Sequence, residues 1–290
     1  MKVAACLLSL LGSALHAHHG RDFILIQDSA IPDPLSGVAI AGYEWTRDGD
    51  SNEFSTEPGF FIGINSALAF GLSASFSDGG EGWEYNGFTP QFIISLLPAT
   101  GARRFRIGLW TGYEFAEDLP GGASSSLHSH GGGGSGGGGG PDGGPAPPSW
   151  PAFPDRKHHG GAFGGAGGAG GGSQGGIVRA GESGLYNRLI FEGDVTAQTR
   201  AVLNLVSFVS GDGGKPGFGY AFGLRHEFSH DLSFGLETLG DFEERRSSHQ
   251  VLATAMVGLP RHLSLRLGVG AGLTRSAPDF TLHTSFLWRF

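Results

Sequence analysis

The sequence predicts an all-β chain that closes as a transmembrane, antiparallel, up-and-down β-barrel of about twelve strands, with a disordered Gly/His-rich external loop. Three observations carry that expectation. Segment after segment alternates apolar and polar residues with a period of two, which is the period of a strand. The connections between these segments alternate between short and long, as turns on one side of a membrane and loops on the other do. The segment from Phe280 to Phe290 is itself such a strand: Phe280, Leu282, Thr284, Phe286, Trp288 and Phe290 share one face, and Thr281, His283, Ser285 and Arg289 the other, with Leu287 as the exception. A soluble domain rarely leaves an apolar strand at a terminus, because termini fray and an open edge invites aggregation. A barrel needs one there, because its last strand must pair with its first.

In chain order, residues 1–17 read as a secretory signal peptide. Lys2 supplies the positive start, Val3 to Leu11 the apolar run, and small residues offer cleavage after Ala14 or Ala17. Cys6, the sole cysteine, sits in that run, so the mature chain would hold no thiol for disulfides, metal sites or catalysis. Residues 18–37 are a periplasmic N-terminal segment or a plug for the lumen; Pro32 and Pro34 keep them out of a sheet interior. Residues 38–290 are the barrel. Its strands set Tyr43 and Trp45 against Gly42 and Glu44, Phe60 and Ile62 against Glu57 and Gly59, and Phe70 and Leu72 against Gly71 and Ser73. They continue with Phe88 and Phe92 against Thr89 and Gln91, and Ile107 and Tyr113 against Arg106 and Glu114. Beyond the long insertion, Leu189 and Phe191 oppose Arg188 and Glu192, and an ambiguous strand covers Arg200 to Val209. Phe222 and Leu224 then oppose Gly223 and Arg225, Phe234 and Leu236 oppose Ser233 and Glu237, a strand spans His249 to Leu259, and Leu265 and Leu267 oppose Arg266 and Gly268. The tight connections are Asn65-Ser66, Pro98 to Ala102, Ala197 to Thr199, Phe228 to Asp231 and Pro260-Arg261. The longer ones include Arg47 to Asn52, Asp78 to Gly82 and Glu243 to Ser248. With both termini in the periplasm, every assignment agrees, and aromatics such as Tyr43, Trp45, Trp288 and Phe290 fall where interfacial girdles belong.

Residues 117–184 are different in kind. Nearly pure glycine from Gly131 to Gly140, then Pro-rich and Gly/Ala-rich runs, cannot bury enough apolar surface to offset the entropy of ordering. The segment is expected to be a low-complexity external loop. Its histidines His128, His130, His158 and His159 are candidate ligands for Zn, Ni or Cu, since neutral imidazole suits those ions. Their spacing fits no defined site, and a solubilising loop with incidental histidines accounts for them as well. No other cofactor is implied.

Bulk composition removes other classes. Charged residues make up 16% of the chain, against about 25% in soluble proteins, and no stretch after the signal approaches the length of a membrane-spanning helix. The net charge of -8, without a basic stripe, excludes nucleic acid as a partner. A soluble β-sandwich would also alternate, but its outward polar face would carry many Lys, Thr and Glu rather than Gly and Ser. His226, the one candidate for lipid chemistry, falls near the periplasmic end beside a turn. The chain is therefore read as no enzyme. Its candidate functional residues are the charges that alternation turns inward: Arg104, Arg106, Glu114, Arg188, Glu192, Asp194, Arg225, Glu227, Glu237, Asp241, Arg266 and Arg289. These would line a hydrated path and set its selectivity, or pair across the lumen and seal it. Barrels of eight strands are filled by side chains and those of sixteen or more hold a channel; a twelve-stranded one lies between.

The stretch His19 to Phe23 (HGRDF), Tyr43 to Trp45 (YEW) and Pro278 to Phe290 (PDFTLHTSFLWRF) together resemble a group of proteobacterial outer-membrane β-barrel proteins labelled only as transporters. That group is similar to a broader one linked by name to phenol-degradation pathways. The resemblance covers most of the mature chain except the Gly/His insertion. It implies passage of a small solute, hydrophobic or a metal ion, across the outer membrane, with membrane lipids as surroundings. The strand ending at Phe290 resembles the signal read by the barrel-assembly machinery. A rival expectation is a non-conducting surface protein that displays its His-rich loop for metal or partner binding.

Overall fold

The computed structural model describes residues 23, 26–80, 82–98, 104–116, 183–242 and 247–290. They form β1 (Gly37–Asp48), β2 (Ser51–Asn65), β3 (Leu68–Asp78), β4 (Glu84–Leu97), β5 (Phe105–Ala116), β6 (Gly184–Asp194), β7 (Thr199–Ser210), β8 (Gly217–Ser229), β9 (Leu232–Asp241), β10 (His249–Leu259), β11 (Leu263–Gly272) and β12 (Phe280–Arg289). Each strand pairs antiparallel with the next, and β1 pairs with β12, so the sheet closes as a barrel. The seam runs from Val38 opposite Arg289 to Arg47 opposite Phe280. Just beyond it, Gly37 and Phe290 exchange both backbone hydrogen bonds, at 2.8 and 3.0 Å. Closure leaves no edge strand, which is the condition for a sheet to sit in hydrocarbon. No helix among the described residues is long and apolar enough to cross a membrane.

The period-2 pattern has sorted the side chains inside out relative to a soluble protein. Phe92, Leu205, Phe222, Leu236, Val269 and Phe286 stand on the outer wall with 41–54% of their surface exposed. A contiguous apolar surface of this kind belongs against lipid. Aromatics gather at both rims. At one end Tyr43 lies 6.1 Å from Phe54 and Trp83, Trp45 5.6 Å from Phe280, and Phe88 stacks on Phe115 at 4.8 Å. At the other, where β1 begins and β12 finishes, Trp288 lies 5.2 Å from Phe290 and Phe228 5.5 Å from Phe234. We call these the loop end and the terminal end.

Two connections differ from expectation. The predicted longer loop at Arg47 to Asn52 is a two-residue hairpin, because β1 and β2 stay paired out to Asp48 and Ser51. Gly49 takes φ +57°, a conformation such tight turns require. Conversely, the predicted tight turn Pro98 to Ala102 belongs to a connection spanning 98–104. Short and long connections therefore do not alternate strictly. The signal residues 1–17, and the insertion with His128, His130, His158 and His159, lie outside the described residues.

Candidate functional site: the barrel lumen

Phe23 and the stretch from Ile26 to Ser36 return into the barrel they precede. Leu35, at φ +65°, turns the chain, and Gly63 of β2 bonds both sides of that turn: Leu35 N donates to Gly63 O at 2.9 Å, and Gly63 N to Ser36 O at 3.0 Å. A side chain at position 63 would fall 2.2 Å from the Pro32 carbonyl oxygen, so the approach requires glycine. Farther along, Ser29 N and Oγ both donate to Glu192 Oε2 on β6, at 3.1 and 2.7 Å. Gln27 N donates to Asn204 Oδ1 on β7 at 2.9 Å, and Asn204 Nδ2 returns a bond to Gln27 O at 2.8 Å. Arg266 Nη1 on β11 donates to Phe23 O at 2.8 Å. Phe23 and Ile26 fill the space left by Gly223 on β8, where a Cβ would come within 2.5 Å of Ile26 Cδ1. Phe23, Ile26, Gln27, Asp28 and Ser29 are all buried.

The lumen wall around this stretch carries buried charge, which needs partners to be tolerated. Glu192, 1% exposed, receives Arg106 Nη1 at 2.6 Å and Arg200 Nη1 at 3.2 Å. Arg200 Nε also reaches Asp194 at 3.2 Å, and Arg106 Nη2 lies 4.0 Å from it. Arg188 Nε donates to Tyr186 Oη at 2.7 Å, and its guanidinium lies over the Trp110 ring at 4.9 Å. Trp110 Nε1 donates to Gln91 Oε1 at 2.7 Å, and Gln91 Nε2 to Ser73 Oγ at 3.3 Å. Glu44 faces His283 across the β1–β12 seam at 3.7 Å. Arg225 stands 3.9 Å from Glu227.

Most of the expected inward charges therefore sit on the buried side of the wall. Glu114, Arg188, Glu192, Arg225, Glu237, Asp241 and Arg266 are buried, while Arg106, Asp194, Glu227 and Arg289 are partly exposed near the terminal end. Arg104 stands just before β5 and is exposed. Residues not singled out from sequence also belong here: Glu44, Glu57, Gln91, Trp110, Tyr186, Arg200, Asn204 and His283. Height separates the charges. Glu44, Glu57, Glu114 and Asp241 lie toward the loop end, with Arg188 among them. Arg106, Arg200, Arg225, Arg266 and Arg289 lie toward the terminal end, with Glu192, Asp194 and Glu227. His226 is on the outer wall, its Nδ1 2.9 Å from Thr199 Oγ1 and its ring 4.7 Å from Phe228.

A closed twelve-strand barrel, apolar outside and polar within, is a membrane barrel. The particular likeness agrees: the chain has the fold of outer-membrane channels. It is similar to an outer-membrane channel from Pseudomonas putida F1, at TM-score 0.53 and 11% identity over 90% of this chain and 97% of that one. The KdgM porin aligns at TM-score 0.49 and 10% identity, over 87% of this chain and 99% of that one. The NanC porin aligns at 0.47 and 6%, over 86% and 98%. No protein-family model matches the chain, and no curated protein matches it. The narrower likeness to the phenol-degradation group has no support from these matches.

Proposed function

We propose that this protein is an integral outer-membrane channel for a small solute, with its loop end outside and its terminal end in the periplasm. The observation that carries the reading is the lumen itself. A barrel whose outer wall already satisfies the membrane has no need of buried Glu192, Glu237, Arg188 and Arg266 for stability, since ion pairs of this kind rarely outdo apolar packing. Charges and amides on the inner wall offer a solute hydrogen bonds and a field. The stretch Phe23 to Ser36 is the gate in this reading, because it is fastened by separate hydrogen bonds to β2, β6, β7 and β11 and each can be released. Membrane lipids surround the barrel, and the β12 strand ending beside Phe290 is the segment offered to the assembly machinery.

The test is single-channel conductance of the refolded protein in a planar bilayer, with folding confirmed by the heat-dependent gel shift of barrels. Small or rare steps are expected from the intact chain, and frequent larger steps from a chain lacking residues 23–33. Silence from both folded proteins would overturn the reading.

A further inference from the structure

The chain passes from the lumen into the wall through a four-residue turn, Asp33 to Ser36, closed by Ser36 N donating to Asp33 O at 2.9 Å. Proline keeps φ negative at position 34, and Leu35 takes φ +65°, so the turn is of type II, whose third position calls for glycine or asparagine. A branched side chain there crowds its own backbone. Nothing in its own chain compensates Leu35 for that strain. At 90% exposed, it is the most exposed large apolar side chain among the described residues. We propose that Leu35 is seated in the hydrocarbon of the leaflet at the terminal end, and that this contact anchors the lumen stretch to the bilayer where it leaves the barrel. The lipid contact follows from the barrel's place in the membrane; its effect on opening rests on the channel reading above.

Position decides what meets this side chain. Leu35 N donates to Gly63 O at 2.9 Å, which sets Leu35 level with Ile64, a β2 residue of the outer wall that is 50% exposed. Two residues beyond Leu35, Gly37 exchanges backbone bonds with Phe290, which is 51% exposed and lies beside Trp288 in the aromatic rim. Leu35 therefore continues the apolar band that already faces lipid, at the border where that band ends. The polar part of the turn makes no demand for water at this point, since Ser36 Oγ donates to Asp33 O at 2.8 Å. On the lumen side the turn is held by Gly63, against which the Pro32 and Asp33 carbonyls pack, so lipid would hold its outer side. Burying leucine in hydrocarbon offsets the backbone strain, a gain that glycine or asparagine at the same position could not supply.

The test places a nitrobenzoxadiazole fluorophore on L35C, in a full chain that also carries C6S, folded into phosphatidylcholine nanodiscs. D33C, at an exposed polar position of the same turn, is the comparison. The label at position 35 is expected to be quenched by lipid bearing a nitroxide on its acyl chain, and to be shielded from aqueous iodide about threefold relative to position 33. Equal iodide quenching at the two positions, or no quenching by the nitroxide lipid, would overturn the proposal and turn the search to a periplasmic protein. L35N tests the native side chain, because asparagine accepts φ above zero and removes the apolar contact. With Leu35 in lipid, L35N loosens the turn and raises open probability in a planar bilayer about threefold. With Leu35 in water, L35N only relieves strain, and open probability stays the same or falls, which would also overturn the anchor. The heat-dependent gel shift shows that each variant is folded. A channel silent in every variant removes the channel reading, and the quenching comparison still decides the lipid contact.

Discussion

Glu192 shows how much rests on one side chain in this lumen. It accepts from Ser29, Arg106 and Arg200 at once. Removing a carboxylate at the centre of such a set leaves cations without their counter-charge, at a cost of about 3 kcal/mol or more. E192A should therefore lower the urea midpoint of the refolded barrel and also raise channel opening, since Ser29 loses its anchor. Gly223 offers a cleaner release. G223V sets methyl groups where Ile26 and Phe23 now lie, without touching an ion pair, and is expected to increase open probability in bilayers with a smaller drop in the unfolding midpoint than E192A, since overpacking costs about 1–3 kcal/mol. Alternation marked Glu192 and Arg106 as inward from sequence alone, because a charge among apolar neighbours leaves no doubt of phase. Arg200 and Asn204 escaped it, because β7 is apolar on both faces: Val202, Val206 and Phe208 are buried inward while Leu205 and Val209 face out. The polar Asn204 within that apolar run was the available signal, and its bonds to Gln27 explain why it is there.

The strands were legible because each must present one face to lipid, and a one-residue slip would move every side chain to the wrong side. That same rule gives a test on β8. Phe222 lies near its middle on the outer wall, so F222R places a charge at the depth where lipid tolerates it least. It should destabilise the barrel by about 2–4 kcal/mol in liposomes, while the same substitution nearer a rim costs roughly 0–1 kcal/mol. Connections were less legible than strands. A turn's length depends on how far two partners stay paired, and composition near Arg47 to Asn52 did not reveal that β1 and β2 run together to Ser51. β5 and β6 pair from Phe105–Gly193 to Glu114–Gly184, so their register is set by the strands and not by the insertion that joins them. Replacing residues 118–182 with a short Gly/Ser linker is expected to leave the heat-dependent gel shift intact, because loop length changes closure entropy only slowly.

For the molecule as a whole, closure and the apolar exterior followed from pattern, whereas a plug was only one of two alternatives for residues 18–37, and no pattern traced the contacts that Phe23 and Ile26 to Ser36 make in the lumen. Nothing in a period of two says that Gly63 and Gly223 are cleared for a passing backbone and an aromatic ring; that is a relation between residues far apart in the chain. The separation of charge by height has a consequence of its own. Toward the loop end Glu44, Glu57, Glu114 and Asp241 outnumber Arg188, and toward the terminal end Arg106, Arg200, Arg225, Arg266 and Arg289 outnumber their neighbours Glu192, Asp194 and Glu227, so the proposed channel is a bipolar junction. Mobile cations collect at the acidic mouth and anions at the basic one. A voltage that is positive at the loop end drives both populations inward to meet, and the reverse voltage draws both out and depletes the middle. The open channel should thus behave as a diode, passing more current when the loop side is positive. The asymmetry should fade from 0.1 M to 1 M salt, as the screening length falls from about 10 Å to about 3 Å. It should shrink in E57Q/D241N, and equal currents at both polarities in the intact protein at low salt would refute it.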